Sequence, residues 1–249
     1  MTLEILVTAD EKGKCVRKDF AKLEVINADT LLGLFLAYAN KDWGKYELEI
    51  DNHFTPPALA RAYIEMIYGI HERFLDVFKD ELSSEELFET LLKTEFVYAS
   101  PMAYQRIKPV IPKEKDDDQE FNYVAHYSSK GGIFVSLLEN ATLEVIKGNA
   151  IHEFGHRLHQ LYFPRNYDYS DVTIKEMLAI LLEEEEGIND SYLSKTPHGR
   201  AKELLRRANE GKLKGKTFAE RWKLLASFLK HEDLESYIDG KLSVYGGGS

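Results

Sequence analysis

The stretch AIHEFGHRLHQLY, residues 150–162, places three histidines and a glutamate in an otherwise apolar helical pattern. His152 and His156 are four residues apart. On a helix that spacing stacks two imidazoles on one face, one turn apart. Two ring nitrogens can then reach one zinc ion about 2 Å from each. Glu153, beside the first histidine, can reach a water on the same ion. This is the H-E-x-x-H arrangement. Leu143, Ile146, Ala150, Phe154, Leu158 and Leu161 run as an apolar stripe beside the histidine face. The bland alternative is a helix with incidental histidines, or buried ones satisfied by backbone.

Zinc needs at least a third protein ligand. Cys15 is the single cysteine, so a thiolate cluster and an internal disulfide are both excluded. His159 lies seven residues beyond His152, a rise of about 10 Å, too far to share its ion on a straight helix. It reads as support for the site or as structure. The segment VTIKEMLAILL, 172–182, is apolar on nearly every side, as a buried helix is, and carries Glu176. A carboxylate there is costly unless it is paired or binds metal. Asp171 or Ser170 can cap that helix, and two antiparallel helices would return Glu176 towards His152 and His156. Glu183 shares its face, either as an acceptor for a ligand histidine or as the start of a solvated EEEE end. Asp168 is a weaker third ligand.

The remaining chain sets the frame. Its 249 residues, 44% hydrophobic, suit one large domain, or an N-terminal lobe 1–110 with a catalytic lobe 111–245 and a tail at 246–249. A net charge of −10 argues against a general nucleic-acid binder. No apolar run approaches a membrane span and no secretory signal is visible, so a cytoplasmic protein is expected. Residues 3–8 and 45–50 alternate like half-buried strands, with a helix over 31–39 between them. Thr55 and Pro56 open a long helix striped by Leu59, Tyr63, Met66, Ile70, Phe74 and Val77. Ser83 and Glu86 form a capping box. QRIKPVI, FNYVAHY and IFVSLL are strand-like, the first two separated by the charged loop PKEKDDDQE. SSKGG reads as a turn, 163–170 as a loop, and 189–239 as mostly helical. The Lys- and Arg-rich stretch 199–223 reads as a solvated face.

HEFGHRLHQ is similar to the active helix of the thimet oligopeptidase and oligoendopeptidase family, which typically reads H-E-F-G-H-x-x-H. IKEMLAILLE resembles the family's second segment, which places Glu176 at the glutamate ligand and Glu183 at the later glutamate. The resemblance spans residues 149–186. It implies a gluzincin: an α+β zincin-like domain, helix-rich, with a small sheet over the active helix. Zn2+ would be held by His152, His156 and Glu176, with Glu153 as general base. The substrate would be a peptide or protein, without nucleic acid or membrane. Short gluzincins that cleave repressor proteins share the compact motif.

Such an enzyme also needs a donor for the developing oxyanion. Tyr167 and Tyr169 after the helix, and His231 with Tyr237 near the C-terminus, are the candidates, undistinguished by spacing. Gluzincins commonly bind substrate along an edge strand, a role GGIFVSL could take, although Gly131 and Gly132 read more simply as a turn. The family's C-terminal Gly-His and Tyr-rich motifs are not recognisable. That motivates a second reading, a regulatory or binding protein with a degenerate zincin domain that holds zinc without broad peptidase activity. A closed structural zinc site is a third.

Overall fold

The structure is a computed structural model that describes residues 3–6, 28–53, 57–94, 96–99, 125–128, 132–136, 142–187 and 198–242. Strands β1 (Leu3–Leu6), β2 (Phe96–Ala99), β3 (Ala125–Ser128) and β4 (Gly132–Ser136) form a sheet in the order β1-β2-β4-β3. The first three neighbours are parallel, and β3 runs antiparallel to β4. Register follows burial. Phe96 and Tyr127 both align with Ile133, and Tyr98 and Ala125 with Val135. All six side chains are buried, so one face is apolar, and a slip by one residue would turn it outward. Among the described strands β4 is paired on both sides, so the edge role that GGIFVSL could have taken does not hold; β1 and β3 are the edges. Gly132 has φ 86°, which supports the turn reading at that position.

Chain contacts divide the molecule into two units, Met1–Glu153 and Phe154–Ser249, with the division inside one continuous helix. In the first unit, α1 (Ala28–Ala39), α2 (Trp43–His53), α3 (Pro57–Phe78) and α4 (Ser84–Leu92) accompany the sheet. The whole expected stripe of α3 is buried, from Leu59 to Val77, and α3 packs against α1, α2 and α4. The capping box opens α4: Ser83 Oγ accepts from the Glu86 amide at 3.2 Å, and Glu86 Oε2 accepts from the Ser83 amide at 2.9 Å.

Residues 45–50 are not a strand. They lie in α2, where Tyr46 donates its amide to the Asp42 carbonyl at 3.0 Å, a helical bond. Tyr46 is 3% exposed and packs against Tyr38, whereas Leu48 is 61% exposed. A strand would put both on one face. The alternating pattern was local, and packing against the aromatic cluster of Tyr38, Trp43 and Tyr68 prevailed.

The second unit holds the end of α5 (Leu143–Tyr162), α6 (Pro164–Tyr169), α7 (Val172–Glu185), α8 (His198–Glu210), α9 (Phe218–Ala226) and α10 (His231–Ile238). Helix α7 is its centre: α8 and α9 pack against it, and α10 against α8. Ile174, Met177, Leu178, Leu181 and Leu182 are buried around its circumference, as its all-round apolar sequence predicts. The expected loop at 163–170 contains helix α6 instead. Pro164 stands at its start, where a missing amide costs nothing, and Tyr167 anchors it in the interior. The basic stretch is a solvated face where Arg206 pairs with Glu203 and Glu210, both at 2.7 Å.

Among the described residues no helix is long and apolar enough to cross a membrane. The expectations for Thr55 and Pro56, for 105–124 and for the lobe boundary near 110 lie outside the described residues. So do those for Gly131 and for the tail at 246–249.

Candidate metal centre

Two helices meet where one of them has no side chain. A Cβ placed on Gly155 would sit 2.6 Å from Ala179 Cα, so only glycine allows α5 this close to α7. One residue further along α5, His156 Nε2 lies 3.5 Å from Glu176 Oε1. His152, one turn back on the same helix, completes a group. One nitrogen of each histidine and one oxygen of Glu176 all lie within 4.8 Å of one another.

The donor set fits zinc. Two imidazoles and a carboxylate are the ligands of a catalytic zinc that keeps a position open. In a tetrahedral shell with bonds of about 2.1 Å, neighbouring ligand atoms stand about 3.4 Å apart. The His156–Glu176 separation already matches that edge. Glu176 is 9% exposed and its helical neighbours Met177, Ile180 and Ala179 are buried. An ionised carboxylate in that setting needs cationic or hydrogen-bonding company. Glu153 is also buried, on the same helix as the two histidines.

A further histidine joins the group. His198, the first residue of α8, brings Nε2 to 2.8 Å from Glu176 Oε2. The two oxygens of Glu176 are thus divided between His156 on one side and His198 on the other. The sequence carries no fixed-spacing signal for His198. It reaches Glu176 only because α8 docks on α7, a long-range event invisible in a local motif.

The other candidates have contacts of their own. His159 is fully buried, edge-on to Tyr167 at 5.3 Å, and among the described residues neither ring nitrogen has a hydrogen-bond partner. Burial, and then the nearby Lys175 charge, pull its pKa down to about 4, so the ring is neutral. Lys175 lies 4.5 Å over the Tyr167 ring. Tyr167 is therefore a packing residue of this cluster, and Tyr169 is 76% exposed.

His231 meets Asp171 through its backbone amide and Nδ1. Asp171 Oδ1 accepts from the Ile174 amide at 3.0 Å and caps α7, as expected. Its Oδ2 accepts from the His231 amide at 2.7 Å and meets His231 Nδ1 at 2.7 Å. One aspartate thus ties the starts of α7 and α10 together. Tyr237 packs on Phe228 at 5.6 Å, beneath Lys212. Asp168 is exposed. Glu183 is buried, so it is not part of a solvated acidic end.

No protein-family model, curated protein or solved structure matches this chain.

Proposed function

We propose that this chain is a zinc-dependent metallopeptidase of the gluzincin type, built on a zincin-like α+β domain. The observation that carries the reading is the convergence of His152, His156 and Glu176 into one buried group. The first two come from the motif helix and the third from an apolar helix 20 positions after His156. A carboxylate retained in so apolar a segment is accounted for by a dication more simply than by any neutral partner.

Bound zinc would supply a Lewis acid that polarises the scissile carbonyl and makes water acidic near neutral pH. The chain's own residues do the rest. His152, His156 and Glu176 hold the ion. Glu153, placed between the two ligands in sequence, takes the proton from the attacking water and returns it to the leaving amine. Burial of these groups strengthens each electrostatic contact relative to open solvent. A peptide or unfolded protein segment is the substrate class. The single cysteine accords with a reducing, cytoplasmic setting.

Hydrolysis of a mixed peptide library tests the reading. Cleavage should stop on chelation and return with one equivalent of zinc. Zinc bound one-to-one without turnover would support the binding-protein reading instead. Cleavage indifferent to chelation would remove the metallopeptidase reading.

A further inference from the structure

We infer that His198 is a positioning residue that holds Glu176 to single-oxygen metal binding and so keeps one coordination position free. The inference rests on the proposed zinc site. A carboxylate can bind through one oxygen or both, and the second mode fills the space that water and substrate require. Glu176 Oε1 faces His156 at 3.5 Å, whereas Oε2 faces His198 at 2.8 Å. A ring nitrogen that close to Oε2 draws that oxygen away from the side where His152 and His156 converge.

His198 is not placed as a fourth ligand. The group whose donor atoms share a 4.8 Å neighbourhood is His152, His156 and Glu176, without His198. The contact is also well supported. His198 begins α8, whose Ala201, Leu204 and Leu205 are buried and which packs along α7, the helix that carries Glu176. The two side chains thus sit on two docked helices rather than on a loop. His198 and Glu176 side chains are 19% and 11% exposed, so little solvent competes for Oε2.

Zinc titration of the full chain, with X-ray absorption on the loaded protein, tests this. Wild type should bind one zinc with two imidazoles. His198→Ala should keep two imidazoles but weaken zinc binding about 10- to 100-fold, the range for partners that orient a ligand. Its shell should gain a second carboxylate oxygen. His198→Gln, whose amide reaches about as far as Nε2, should restore most of the affinity. If His198→Ala does not fold, His198→Asn, with a shorter amide, should show the same weakening. Unchanged affinity in folded His198→Ala and His198→Asn would overturn the inference while leaving the zinc site standing. So would a third imidazole in wild type that disappears in the variant. A wild type that binds no zinc would overturn the site and the inference together.

Discussion

His156 Nε2 and Glu176 Oε1 stand 3.5 Å apart on two different helices, close to the edge of a zinc tetrahedron. Chain topology, not local sequence, produces that distance. If the pair is half of a metal shell, loss of its carboxylate should be felt more than loss of any supporting group. Glu176→Gln keeps the volume and removes the charge. Zinc affinity, measured by competition with a chelator, should fall by more than about 100-fold, beyond the range seen for supporting partners. A smaller effect than that of His198→Ala would contradict the ligand assignment.

The close approach of α5 and α7 depends on Gly155. Gly155→Ala places a methyl 2.6 Å from backbone, which cannot be relieved by a side-chain rotation. The helices must separate, at a cost of about 1–3 kcal/mol, typical of overpacked interiors. Thermal unfolding should show the loss, and zinc affinity should fall with it because Glu176 moves away from His156. A variant as stable as wild type would mean the helices are not held at this separation.

Asp171 and His231 form a structural clamp. Asp171→Ala removes an N-cap and the His231 contacts together, and should destabilise by about 1–2 kcal/mol. His231→Ala should lower stability less and leave peptide hydrolysis within a few-fold of wild type. A double-mutant cycle in denaturant should show coupling between the two. A loss of turnover in His231→Ala without loss of stability would instead give His231 a catalytic role.

His159 makes stability depend on pH. Its folded pKa of about 4 lies below the ordinary 6.5. Between those values the unfolded chain binds the proton and the folded one does not. The contribution is therefore complete above pH 6.5 and is lost as pH falls towards 4. The total is on the order of 3 kcal/mol. Denaturant titrations across this range should show the decline. His159→Leu, which buries no titratable ring, should flatten it and be at least as stable at pH 5.

Much of this was legible locally, and the failures have physical causes. The α3 stripe, both caps at Ser83 and Asp171, and the buried α7 follow from periodicity and end signals, which act within one turn. Glu176 was legible because a charge in an apolar helix needs a reason. KYELEI was misread because alternation over six residues does not outweigh an aromatic cluster that α2 shares with α1 and α3. Whether GGIFVSL lies at an edge was not legible, because strand order is set by which strands pair, a fact no single strand contains. The contacts of His198 with Glu176 and of His231 with Asp171 were hidden for the same reason: each is defined by helix docking across more than twenty residues.

Glu153→Gln offers the most direct test of the central claim, because it keeps the shape of the site and removes only the base. Zinc stoichiometry and peptide hydrolysis should be measured on the same samples of wild type and variant. Both proteins should bind one zinc, and the variant should hydrolyse peptides at least about 100-fold more slowly, the lower range for loss of a general base. Equal hydrolysis by the two proteins, or a wild type that binds no zinc, would contradict the account.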